Sequence, residues 1–159
     1  MSLAEKVDAH ICVFHLWDPW LEDIAFQSIK KAFISVLNDF PTVKASVENI
    51  PVYSARTTPY MIVKDYPWIT LDVKWALMYG ELGRYKAWRD KIIDIHIHGR
   101  AQENRWLLST AHHTVSDILR TIEKDWDYHR LLTLDTEGSF ENMKWRDLVT
   151  GISSFHTRD

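Results

Sequence analysis

The chain has 159 residues, 46% hydrophobic and 26% charged, with a net charge of −3 at neutral pH. This length suits one domain with a real core, the slightly acidic balance gives no electrostatic reason to expect nucleic acid, and the single cysteine, Cys12, excludes an intramolecular disulfide or a cysteine-built zinc site. No apolar run is long enough to span a bilayer and "MSLAEKVDAH" has no apolar signal core, so the expected setting is cytoplasmic, without membrane partners.

In chain order, Val7–His15 is apolar and partly alternating and reads as a strand; Pro19 breaks it. Residues 21–40 repeat apolar side chains at three- and four-residue steps (Ile24, Ile29, Phe33, Val36), with Glu22 and Asp23 in the first turn, which predicts a long helix ended by Pro41. From there to residue 115 the period switches to two. Strands are predicted over 42–55 with an interruption at Pro51, over 60–66, over 68–81, and over 85–98 and 105–115 around the turn "GRAQEN". The helical period returns over Ile118–Leu132, and "FENMKWRDLVTGI" at 140–152 predicts a last helix. Hairpin-linked strands with segregated helices predict an α+β fold with an antiparallel sheet.

Four histidines cluster in the predicted last hairpin. With an even loop, Ile93, Ile95, Ile97, Trp106, Leu108, Thr110 and His112 share one face; Asp94, His96, His98, Leu107, Ser109, Ala111 and His113 share the other. The first face is apolar and should look into the core. Asp94-x-His96-x-His98 has spacing that can hold zinc, but near a turn it reads more simply as a solvated polar strand face, so no metal and no cofactor are expected.

The segment "AWRDKIIDIHIHGRAQENRWLLSTAHHTVSD" resembles the last strand pair of the nuclear-transport-factor-2-like, or SnoaL-like, superfamily, with Trp106, His112 and Thr114 at the matching positions. Upstream, "VFHLWDPWLEDIAFQSIKKAFISVLNDF" resembles that family's first strand, loop and helix. The resemblance spans about residues 7–116. It implies one domain over 1–159: a curved antiparallel sheet forming a cone packed against helices, with the C-terminal extension 117–159 supplying helices in place of the usual N-terminal ones.

The resemblance also implies a hydrophobic cavity between sheet and helices. The expected function is a small-molecule pocket protein, either a cofactor-independent acid–base enzyme of isomerase, dehydratase or cyclase type on a small apolar or aromatic substrate, or a non-catalytic binding or assembly module. Burial brings carboxylates and histidines toward neutral pKa, which suits proton transfer. The candidate catalytic residues are His112, His15 and Asp18. Trp75, Tyr79, Trp88, Trp106 and Thr110 are the candidate ligand-binding residues. The eight Trp, six Tyr and six Phe exceed what one small core needs, so a homodimer is expected.

Overall fold

The computed structural model describes residues 2–102, 105–108 and 115–136. Short helix α1 (Ser2–Lys6) precedes strand β1 (Ile11–Phe14); helix α2 (Phe26–Asp39) leads to β2 (Lys44–Glu48) and α3 (Pro59–Val63) to β3 (Ile69–Asp72). Helices α4 (Val73–Met78) and α5 (Leu82–Tyr85), the latter running into a turn of 3₁₀ helix at Lys86–Trp88, return the chain to the long strand β4 (Ile92–Gln102). Strand β5 (Arg105–Leu108), helix α6 (Val115–Arg120) with a π-turn at Thr121–Asp125, and β6 (Leu131–Thr136) complete the described chain.

The sheet is not the antiparallel cone. Strands β1, β2, β3, β4 and β6 pair in that order and all are parallel, giving a curled half-barrel; among the described residues only β5 runs antiparallel, against the tail of β4. In place of the predicted hairpin of 85–98 with 105–115, Ile95 pairs with Leu132 and Ile97 with Leu134, and β4 meets β5 only from Gly99 onward. A parallel neighbour needs a crossover that carries the chain back to the starting end, and here helical segments do this between successive parallel strands.

Two of the predicted strand segments hold such crossovers, each for a local reason. Residues 60–66 open as α3 because Thr58 caps the helix, its hydroxyl accepting from the Met61 N–H, and Pro59 sits in the first turn where its missing N–H costs nothing. The strand expected over 68–81 stops at Asp72, whose carboxylate accepts from the backbone N–H of Lys74 and Trp75 and starts α4. Gly80, at φ +64°, then ends α4 in the left-handed conformation open to glycine. The predicted helix over 118–132 becomes α6 and its π-turn, and its last two residues, Leu131 and Leu132, open β6. The predicted helix over 140–152, like His112 and Thr110, lies outside the described residues.

The period of two nevertheless sorts the sheet. Ala45, Val47, Ile69, Leu71, Ile92, Ile95 and Ile97 are buried in one cluster with Phe33 of α2, Val63 of α3, and Ile118, Ile122 and Trp126. A register shift between Ile69 and Thr70 places Ile92, rather than Ile93, beside Ile69. The intervening residues Ser46, Glu48, Thr70, Asp72, Asp94, His96 and His98 form a polar row on the opposite face. Leu71→Ala would remove a fully buried side chain from the centre of the apolar layer, at a cost of about 2–5 kcal/mol. Among the described residues, no helix is long and apolar enough to cross a membrane.

Candidate functional site

The polar row gathers at the C-terminal ends of the parallel strands, the edge at which half-barrels and barrels of this kind carry their chemistry. Glu48 ends β2, Asp72 ends β3, His96 and His98 sit midway along β4, and Asp135 lies beside His98 on β6. Glu48, Asp72 and Asp94 are buried, at 3%, 0% and 3% exposure. Burying three carboxylates is costly unless each finds a donor or a cation.

The partners are imidazoles: His15 just past β1, and His96 and His98 on β4. Glu48 Oε2 lies 2.9 Å from His15 Nε2 and 3.3 Å from His96 Nδ1. The other ring nitrogen of His96 lies 3.2 Å from Asp94 Oδ2, and Asp94 accepts from the Thr133 hydroxyl on β6. His98 Nε2 stands between Asp72 Oδ2 at 2.8 Å and Asp135 Oδ2 at 3.1 Å. Because Asp72 Oδ1 is engaged in capping α4, only Oδ2 is turned toward the histidine.

These contacts set the protonation states. Burial alone would depress the His96 pKa, but the hydrogen bonds to Asp94 and Glu48 and their charges prevail and raise it to about 10. His98 is raised in the same way, the Asp72 contact and charge overcoming burial. Burial pushes Glu48 up, yet the His96 contact and the charges of His96 and His15 bring it below its ordinary value. Asp72 moves the other way: burial, assisted by the nearby Glu48 charge, outweighs the pull of His98 and raises it.

One ligand atom each from Glu48, Asp72 and His98 lies within 4.8 Å of the others. Metal–ligand bonds of about 2.0–2.6 Å put neighbouring ligand atoms roughly 3–4.5 Å apart, so small side-chain rotations close this set around an ion. The His-x-His pair does not act as one chelate: His96 turns to Glu48 and Asp94, His98 to Asp72 and Asp135. Nor is Asp94-x-His96-x-His98 a solvated face, since His96 and His98 side chains are only 14% and 15% exposed.

The other residues singled out in the sequence scatter. His15 is at the site, on Glu48. Asp18 is in the loop after β1, where its carboxylate accepts from the Trp20 N–H. Trp75 packs against the core with the Lys74 ammonium over its ring, and Tyr79 closes α4. Trp88 stacks on Tyr60 at 3.8 Å, beside Tyr85, just before β4 begins and so at the opposite end of the sheet. Trp106 belongs to β5. Glu48 and Asp72 drew no attention in the sequence, although each ends an apolar run at a point where the chain leaves the sheet; that position was the available signal.

Comparison with family models, with curated proteins and with solved structures finds no match.

Proposed function

We propose that the C-terminal edge of the half-barrel is a divalent-cation centre of an enzyme acting on a small, oxygen-bearing substrate. Glu48, Asp72 and His98 would hold the ion, with Asp135 within reach as a further oxygen donor. The observation that carries this reading is the convergence of two carboxylates and one imidazole, from three neighbouring strands, within 4.8 Å. The mixed oxygen and nitrogen set suits a first-row divalent ion such as manganese or zinc. Three protein ligands leave positions open for water or substrate, the pattern of a catalytic rather than a structural ion. A bound ion would polarise a substrate oxygen or activate water.

This chain's own contribution is the surrounding proton network. His15, the exposed member at 61% side-chain exposure, is joined through Glu48 to His96 and Asp94. The polar lining favours a polar substrate over the apolar one expected from the sequence.

Manganese titration of chelator-stripped protein by calorimetry tests the reading. One equivalent should bind, and His98→Ala should abolish binding. A wild type that binds none, or a His98→Ala variant that binds as wild type does, overturns it. A second reading, acid–base catalysis without metal, rests on the same His15–Glu48–His96–Asp94 chain; turnover of a substrate by protein shown to be metal-free would favour it.

A further inference from the structure

The side chain of Asn49, directly after Glu48, is fully buried, and its amide bonds the backbone of Asp72 through both its donor and its acceptor. The Asn49 Nδ2 donates to the Asp72 carbonyl at 3.1 Å, and Asn49 Oδ1 accepts from the Asp72 N–H. Both residues have 0% exposure.

The ladder between β2 and β3 explains why a side chain is needed there. The Val47 N–H donates to the Trp68 carbonyl at 3.2 Å, and the Asn49 N–H donates to the Thr70 carbonyl at 3.3 Å. Two residues further along each strand, the next donor would be residue 51 and the next acceptor the Asp72 carbonyl. Residue 51 is Pro51, which has no N–H. The rung cannot form, and Asp72 would keep a buried carbonyl without a partner. A carboxamide carries the same donor and acceptor as a peptide group, and Asn49 supplies both. The backbone is thereby free to leave the sheet after Asn49, with Ile50 and Val52 turned into the core, without releasing Asp72.

We infer that Asn49 is a positioning residue for the cation centre: a surrogate ladder rung that fixes the backbone of Asp72 relative to Glu48, and so the separation of two of the three ligands. This rests on the metal-centre reading. It requires the Asn49 amide to act through geometry, so restoring a backbone donor by another route should restore the function.

The test is manganese affinity, read from the free-ion electron paramagnetic resonance signal, for wild type, Asn49→Ala, Pro51→Ala and the Asn49→Ala/Pro51→Ala double variant, each shown folded by circular dichroism. Asn49→Ala should weaken binding by about tenfold or more, the range for loss of an outer-shell partner. The double variant, with an N–H at residue 51, should recover part of that loss, while Pro51→Ala alone should bind much as wild type does. If Asn49→Ala does not fold, Asn49→Ser carries the same comparison. Unchanged affinity in a folded Asn49 variant, or a loss that Pro51→Ala leaves untouched, overturns the inference and leaves the metal centre standing. A wild type that binds no manganese overturns both.

Discussion

Two buried carboxylate regions in this molecule look alike by exposure and differ in kind. Glu81, 3% exposed, accepts from the Thr58 hydroxyl at 2.6 Å, the Tyr60 N–H at 3.2 Å and the Arg84 guanidinium at 2.7 Å. None of these donors gives up its proton near neutral pH, and all lie in the crossover helices. Gly80 directs the chain so that the Glu81 N–H reaches the Ala76 carbonyl at 2.8 Å and the carboxylate meets α3. It is a staple between α3 and α5. Glu48 and Asp72 are instead met by histidines from other strands, at the end of the sheet where parallel strands open. An imidazole can release its proton and turn a ring nitrogen to an ion, so the same burial yields a site that can change state. Partner chemistry, more than burial, separates the structural carboxylate from those of the proposed centre.

The comparison breaks most sharply at Asp72. Asp72→Asn keeps the Oδ1 cap on α4 but removes the ligand charge, so manganese affinity should fall by about a hundredfold or more with little loss of helix. Glu81→Gln should leave affinity within about twofold, far from the tenfold-or-greater losses expected at the centre itself. Equal effects of the two substitutions on metal binding would erase the distinction.

Stability should show the reverse order. Glu81→Ala strands the Thr58 hydroxyl and the Tyr60 N–H, and should lower unfolding free energy by about 2–3 kcal/mol in urea titrations. Arg84 adds little to that figure, because its side chain is half exposed and the ion pair is screened.

A pH series sharpens the contrast further. His96 is raised to about 10 in the folded chain, against an unfolded value near 6.5. The folded state holds the proton more tightly, so the stabilisation is fully present below about pH 6.5 and is lost as pH rises through about 10. Metal-free protein should therefore become easier to denature between pH 7 and pH 9.5, and His96→Gln should flatten that slope. Glu81→Gln should leave the slope in place. A wild type equally stable across the range would show that His96 does not hold its proton between Glu48 and Asp94.

The smallest expected effect is at the cap. Thr58→Ser keeps the hydroxyl on Glu81 and should cost well under about 1 kcal/mol, whereas Thr58→Ala should cost about 1–2 kcal/mol as the α3 cap and a bond to Glu81 are lost together. Chemical denaturation at one pH distinguishes them.

The sequence by itself determined which residues are apolar and at what period they recur. That was enough to find α2, β2 and the alternation along β4 that sends Ile95 and Ile97 to one face and Asp94, His96 and His98 to the other. It also brought His15 forward, as a residue of an apolar pocket; in the fold its ring lies on Glu48, in a polar cluster. Strand direction was not legible, because an apolar stretch with period two reads the same in a parallel or an antiparallel neighbour. The deciding marks were small: Thr58 with Pro59, Asp72 as a helix cap, Gly80 in the left-handed conformation. The first two opened crossover helices where strands were predicted and Gly80 ended the second of them, which lets the following strands run parallel. Only the tertiary structure then brought the candidate ligands together. Glu48, Asp72 and His98 are separated by more than twenty residues each in the chain, and they meet because the ends of β2 and β3 lie beside the middle of the parallel strand β4 on one face of the sheet.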